Sequence, residues 1–524
     1  MSLPRVQRAA RCALRLQQER SALRAVAARA RSTAAALAAE ADWDAARPYS
    51  DIPGPKPLAV GGNAWRFMPY VGQFHGLGLD ELIAALHAEF GPVCKLGGMP
   101  RPDLLFVSDV DIMQSVLRNE GSWPTRRAAQ TLEHYFRDLR KNYLVSLAVS
   151  NGKEWQDFRS AVNQVMMQPR NTAPYVQPID SVAQDFVARM REIRAPDGRM
   201  PADYTDELAK WSLESISYVA LDTRLGLLAG DLDPTSDAVV MMDTIRGLFD
   251  CMYNLDIKPS VWKWVSTPTY RKFVGNMHLF TSLASKYVDR AVARLKALSR
   301  RELEQGNRSV LESLLINTGD PTKAVSMVMD MLLAGVDTTS AAMSGLLYQL
   351  ATNPDKQAKL QEELDRVIPD KTAPITQDQM EQLKYARACI KEAMRLMPVL
   401  PTSFRDTGKD QVLGGYRVPK GTTVGMSSLV MAQDERYFPK ARQFLPERWL
   451  PGGSKTDHPF AFLPFGFGPR MCVGKRFANL ELENLVAKIF RNFTLEWNQP
   501  PARTKFTIFL KFETPLQFIV RDRP

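Results

Sequence analysis

Cysteine and histidine are scarce in this chain, five of each in 524 residues. No CxxC pair occurs, so a disulfide scaffold and a structural zinc site of that kind are excluded. HExxH is missing, which removes a zinc hydrolase of that type. GxGxxG and GxxxxGK[ST] are missing too, so redox chemistry here would not come from a nicotinamide held on a Rossmann unit. No run of ~20 apolar residues is long enough to span a bilayer. The longest uncharged stretch of the helical middle, Thr338 to Pro354, is full of Thr, Ser, Asn and Gln. Any membrane contact is therefore expected to be peripheral. Pro (35) and Gly (30) are scattered, which excludes a collagen-like or mostly disordered chain. The chain as a whole is 45% hydrophobic and 24% charged, the balance of a globular protein with a sizeable core.

Acidic residues are almost absent from the first 40 positions. These hold eight Arg, no Lys, and only Glu19 and Glu40, for a net +6 out of the chain's +11. Leu14, Leu23, Val26 and Leu37 are interspersed among the Arg at roughly helical spacing. Arg alternating with Ala and Leu reads as a mitochondrial transit peptide. A nucleic-acid-binding arm would place its Arg in a block. The reading assigns residues 1–45 to the leader and 46–524 to one folded domain.

The folded body opens at DIPGPKP (51–57), where three Pro and a Gly forbid helix. Residues 79–90 read as an amphipathic helix, and 93–96 and 104–107 as a hairpin about Gly97–Pro100. From about 110 to 395 the pattern is helical, broken at Pro or Gly near 169–178, 196–201, 259–268 and 319–321. Strand-like pieces return at 411–418, 422–424 and 504–521. This predicts one mainly α domain with small β-sheets.

Cys472 stands in FLPFGFGPRMCVG (462–474), directly before a helix-forming run that begins at Lys475. N–H groups and the dipole at a helix start favour an anion there, so the thiol is expected to ionise easily. Gly466, Gly468 and Gly474 let backbone N–H groups approach the sulfur. Phe465 can cover it and Arg470 adds a cation. A thiolate in such a nest can be an axial iron ligand. A buried structural cysteine and a catalytic nucleophile are the alternatives. The first leaves three Gly and an Arg unexplained, and no His context supplies a base for the second.

The loop resembles the haem-binding loop of the cytochrome P450 superfamily, F-x-x-G-x-R-x-C-x-G, at Phe465, Gly468, Arg470, Cys472 and Gly474. The resemblance implies a cytochrome P450 fold and haem b with Cys472 thiolate on the iron. Further motifs extend it through the body in the family's order. Glu392 and Arg395, three apart on a helix, share a face. Alone they read as a surface pair, but the family's E-x-x-R is buried and joins an arginine, here Arg448, to hold the Cys loop. Trp449 stands where the family more often has Phe. MLLAGVDTTS (331–340) is poor helix composition, and the Thr338 hydroxyl can bond the carbonyl of Ala334 and open a groove. The resemblance makes Asp337 and Thr338 a proton relay, needed because splitting O2 consumes protons in a dry site. It also implies that Trp155, Arg159 and Arg405 bind the haem propionates. Each of the three could equally be structural or a surface residue.

Within the superfamily the chain is similar to the mitochondrial branch, arthropod members above all. There two cations on the Glu392 helix, here Arg387 and Lys391, dock an acidic adrenodoxin-type [2Fe–2S] ferredoxin served by an NADPH-dependent flavoprotein reductase. Lys475 and Arg476 add charge nearby. The resemblance thus implies a monooxygenase that inserts one atom of O2 into a hydrophobic small molecule, steroid-like or xenobiotic. Its place would be the matrix side of the inner membrane, touched by Trp262 and Trp264. Pocket walls are expected from 121–150, 237–255 (with Phe249 and Met252), Met331, Ala334, Val399 and Leu400. A haem-thiolate isomerase or dehydratase without an electron donor and a non-catalytic haem sensor are the alternatives. The intact Asp337-Thr338 pair argues against both.

Overall fold

The computed structural model describes residues 43–524 apart from 59–61, 98–101, 128, 259, 298–307 and 455–457. The Arg-rich leader up to residue 42 and the tip of the first hairpin lie outside the described residues. Helices of nine or more residues are α1 (Leu79–Phe90), α2 (Val110–Arg118), α3 (Gly152–Met166), α4 (Val176–Ile193), α5 (Tyr204–Leu221) and α6 (Asp237–Met252). They continue with α7 (Pro268–Ala297), α8 (Val310–Thr318), α9 (Pro321–Ala351), α10 (Pro354–Val367), α11 (Lys384–Leu396) and α12 (Lys475–Asn492).

Strands β1 (Val93–Leu96), β2 (Leu104–Val107), β3 (Ser403–Asp406) and β6 (Thr423–Met426) form one sheet in the order β1-β2-β6-β3. The hairpin expected at 93–107 is there, antiparallel, with Val93 opposite Val107. β2 pairs in parallel with β6, so most of the helical body is the crossover between two neighbouring strands. β4 (Gln411–Leu413) and β5 (Tyr416–Val418) make a hairpin whose turn residues, Gly414 and Gly415, have φ of +57° and +81°. β7 (Phe493–Glu496) pairs with β10 (Ile519–Asp522), and β8 (Thr504–Phe506) with β9 (Leu510–Phe512). The mainly α fold with small sheets is as the sequence predicts.

The central helix α9 organises the core. Asp320 caps it by accepting from the Thr322 N–H at 2.9 Å, and Pro321 occupies its first position, where no N–H is needed. Its 31 residues span ~46 Å at 1.5 Å per residue. Ala324 to Val336 belong to an apolar cluster shared with α3, α6, α7 and α8. Ala342 to Ala351 belong to a second cluster shared with α4, α11 and α12. The polar run Asp337-Thr-Thr-Ser340 falls at the junction of the two, where it interrupts neither.

One prediction fails locally. The helical reading of 110–395 breaks over 140–151, an irregular loop that contains no Gly or Pro to announce it. The helix expected through 331–340 is continuous.

Candidate active site around Cys472

The Cys472 loop is shaped by positive-φ glycines, Gly466 at +73° and Gly468 at +66°. Only glycine takes that region without strain. Gly468 also has no room for a side chain, since a Cβ would sit 2.6 Å from Glu120 Oε1. The Cys472 N–H donates to Phe465 O at 2.8 Å, which closes the loop, and Gly474 caps α12. Among the described cysteines Cys472 is accessible, whereas Cys94, Cys251 and Cys389 are buried.

The expectation that the thiol ionises easily is corrected. Desolvation pushes it up, outweighing the N–H groups of Gly474 and Lys475 and the charges of Arg159 and Arg126. Those groups are aimed as the sequence implied, but they do not win without a further cation at the sulfur. A metal ion there deprotonates a coordinating thiol outright.

Four arginines from four segments converge beside this loop. Arg470 lies over the Trp155 ring, with Cζ 3.9 Å from the centroid. Its Nε donates to Pro124 O at 2.8 Å, and its Nη2 to Ser150 O and Asn151 Oδ1 at 2.9 and 2.8 Å. Arg159, one turn after Trp155 on α3, donates from Nη2 to Met471 O at 2.6 Å, while its buried Nε has no partner. Arg405 on β3 pairs with buried Glu120 at 2.8 Å. Arg126 donates from Nε to Ala148 O at 2.9 Å.

The cluster is electrostatically frustrated. Burial, then repulsion from Arg126, Arg405 and Arg159, lowers Arg470 to about 9. Burial, then Arg405 and Arg159, lowers Arg126 to about 10. Glu120, itself raised by burial, opposes Arg405 and Arg470, and Asp330 opposes Arg126. Four guanidiniums against two carboxylates, with an orphaned N–H on Arg159, fit a group that brings two more carboxylates beside the sulfur. Haem b, with two propionates and an iron, fits that description. Sequence reasoning found Trp155, Arg159, Arg405 and Arg470. It missed Arg126, Glu120 and Asn151, which lie in loops without a motif.

The arrangement around Glu392 is as the resemblance implies. Glu392, Arg395 and Arg448 have fully buried side chains, with Arg395 Nη2 at 2.8 Å and Arg448 Nε at 2.9 Å from Glu392 Oε1. Arg395 Nη1 also donates to Ala432 O and Ala441 O, both at 2.6 Å. This ties α11 to the segment that leads into the Cys loop.

On α9, Thr338 Oγ1 donates to Ala334 O at 2.6 Å, the bond anticipated from sequence. Ala334 is exposed and Thr338 half-buried, while Leu332, Val336 and Thr339 are buried, so these two residues mark the open face of this helical stretch. Asp337 is pushed up by burial and pulled down by Lys511 and Arg246, with Asp250 and Asp206 opposing that pull. From α5, Ser212 Oγ donates to Gly335 O at 3.2 Å, and a Cβ on Gly335 would stand 2.9 Å from Ile216 Cγ1. Gly335 thus allows α5 and α9 to approach closely. Phe249 and Met252 are buried on α6, with Phe249 edge-on to Phe509. Met331 is buried as well, and Leu400 is half-exposed.

The four basic residues expected at a docking surface differ. Arg387 is engaged within the chain, with Glu483 at 2.9 Å and the carbonyls of Met380 and Glu381. Lys391 is exposed one turn later. Lys475 is half-buried near the Phe465 ring, and exposed Arg476 donates to Met167 O.

The cytochrome P450 family model matches residues 54–520. The chain belongs to the cytochrome P450 family. It is 39% identical over 486 residues to "Probable cytochrome P450 49a1" of Drosophila melanogaster, covering 89% of this chain and 82% of that one. It is 39% identical over 500 residues to "Probable cytochrome P450 12c1, mitochondrial" of the same fly, covering 92% and 94%. Against "Cytochrome P450 CYP12A2" of Musca domestica the identity is 36% over 514 residues, covering 94% of each. This P450 is accordingly a monooxygenase, an oxidoreductase of the haem-thiolate type, whose cofactor is haem b with a cysteine ligand.

Proposed function

We propose that Cys472 is the cysteine that ligates the haem iron, and that the enzyme oxidises a hydrophobic small molecule, steroid-like or xenobiotic, with electrons from a [2Fe–2S] ferredoxin. The observation that carries this reading is the cluster of four guanidiniums, Arg126, Arg159, Arg405 and Arg470, of which Arg159 and Arg126 act directly on the one accessible cysteine among the described residues. When bound, the haem supplies O2 binding and activation. Arg159, Arg405, Arg470 and Arg126 hold the propionates, and Trp155 braces Arg470 from beneath. Phe465 shields the sulfur. Gly468 and Gly474 keep the backbone close to it. Glu392, Arg395 and Arg448 fix the register of the loop. Asp337 and the Thr338 hydroxyl pass protons into the dry pocket, and the burial that raises the Asp337 carboxyl suits it to carry one. Phe249, Met252, Met331, Ala334, Val399 and Leu400 exclude water from the substrate side.

Lys391 is the leading docking cation for the ferredoxin, with Lys475 and Arg476 adding to the field. Arg387 is held by Glu483 and contributes mainly to the frame. Relatives named mitochondrial and the Arg-rich residues 1–45 support a mitochondrial location, with 46–524 as the catalytic domain. No helix among the described residues is long and apolar enough to cross a membrane. Peripheral contact on the matrix side of the inner membrane would use Val261, Trp264 and Val265, all exposed. Trp262 is withdrawn from that role. It is buried, stacks on Tyr270, and donates from Nε1 to Leu255 O at 3.1 Å.

Product formation with ferredoxin, reductase, NADPH and O2, set against an organic peroxide with no donor, tests the reading. Turnover in the first system and oxygen insertion into the substrate support it. Rearrangement of the peroxide alone would favour an isomerase.

A further inference from the structure

The loop 144–151 contains no Gly or Pro; it has its own turn at Ser146 and is held from outside as well. From α9, Asp330 accepts a hydrogen bond from Ser146 Oγ and another from the Leu147 N–H, the latter at 2.7 Å. Ser326, one turn earlier on the same helix, donates from Oγ to Leu144 O at 3.1 Å. Ser146 Oγ in turn accepts from the Ala148 N–H at 3.2 Å. From the opposite side Arg126 holds Ala148 O, and Arg470 holds Ser150 O and Asn151. Between these anchors Val145, Leu147 and Val149 enter the core and Ser146 and Ser150 are buried. Ser150 Oγ has no partner, so the bonds of Ser146 and of the loop backbone hold the path, and losing one leaves a further buried polar group unpaired at a cost.

We propose that Asp330 is a positioning and specificity-determining residue, whose carboxylate clamps the 144–151 loop to the central helix and so sets the cavity wall that loop and helix share. Asp330 and Ala334 are four apart and lie on one face of α9. The clamped loop therefore lies beside the open Ala334–Thr338 face. Burial raises the Asp330 carboxyl to about 6, against the pull of Ser146, Leu147 and Arg126. The same loop ends on Arg126 and Arg470, which joins the substrate wall to the arginine cluster. The specificity claim rests on the reading of this cavity as the substrate site, while the clamp itself does not.

The test uses the haem-loaded protein and three variants: Asp330→Ala, Asp330→Asn and Ser146→Ala. An asparagine can accept from the Leu147 N–H and donate to Ser146 Oγ, so it keeps the clamp without the charge. Two quantities are read. One is amide hydrogen exchange over 143–152. The other is the ratio of spectral dissociation constants for imidazole and 4-phenylimidazole, a small and a wall-touching ligand. Asp330→Ala should speed exchange at Leu147 and Ala148 and shift the ligand ratio, each about tenfold, the scale of one bond to a charged group. Asp330→Asn should leave both near wild type. Unchanged exchange in Asp330→Ala overturns the clamp, and faster exchange with an unchanged ratio overturns the specificity role. If Asp330→Ala does not fold with haem, Ser146→Ala is judged by the same outcomes. Failure of wild-type protein to give an azole spectrum would refute the haem reading instead, leaving the exchange result to stand alone.

Discussion

Trp449 donates its indole Nε1–H to Oε2 of Glu392 at 2.9 Å. Arg395 donates twice to the same carboxylate, and Arg448 Nε and the Leu445 N–H once each. The residue that departs from the resembling family's usual Phe thus adds a fifth bond to a fully buried charge. Trp449→Phe should keep the ring packing and lose that bond, a cost of about 1.5–3 kcal/mol for a bond to a charged group. A chain of this size tends to unfold irreversibly, so the check is the half-life of the haem spectrum on heating. A shorter half-life with unchanged initial turnover is expected.

Much of this frame was legible in the sequence, and the reason is local. Glu392 and Arg395 share a helix face at fixed spacing, and the Gly-rich Cys472 loop declares its own turns. Residues such as Arg126 and Glu120 carry no such mark, because their partners share neither a helix face nor a motif with them; Arg126 meets Ala148 across 22 residues of irregular chain. Glu120 meets Arg405 across 285 residues, and Arg470 meets Ser150 across 320. Loop 140–151 was invisible for the same reason. It is kept irregular by Asp330, Arg126 and Arg470, not by its own Gly or Pro. The failed expectation about Cys472 ionisation came from counting the donors around the sulfur without the desolvation that opposes them.

Thr338→Ala should retain haem and substrate binding but divert reducing equivalents to hydrogen peroxide. Thr338→Ser, which keeps the hydroxyl that now bonds Ala334 O, should stay well coupled. The ratio of NADPH consumed to product formed measures this, and unchanged coupling in the alanine variant would remove Thr338 from the proton path.

Lys391→Glu should raise the ferredoxin concentration for half-maximal turnover about tenfold, equal to ~1.4 kcal/mol. Haem content and peroxide-driven turnover should be unaffected. The effect should shrink in high salt, where charge attraction is screened. Arg387→Glu is a poorer probe, because it would set a carboxylate against Glu483 and disturb the α11–α12 contact. Equal ferredoxin dependence in Lys391→Glu and wild type would move the docking site elsewhere.

Glu481 on α12 is buried, with one oxygen bonded to Thr339 and Oε1 unpaired, and burial raises it to about 8. The folded chain therefore keeps a proton that the unfolded chain releases above about 4.5. Stability contributed by this group falls as pH rises from about 4.5 to about 8, then levels off. Glu481→Gln removes that fall. The ratio of thermal half-lives, variant over wild type, should climb between pH 5 and 8, whereas a flat ratio would mean that Glu481 is already ionised in the folded protein.

The central claim is that the accessible Cys472, beside the four-arginine cluster, is the thiolate on the haem iron. The ferrous carbonyl spectrum of Cys472→His, beside that of the wild type, tests it most directly. The wild type should show the red-shifted Soret band of a thiolate ligand, and the variant should bind haem but lose that band. A thiolate-type band that persists in Cys472→His would place the ligand at another cysteine and contradict the account.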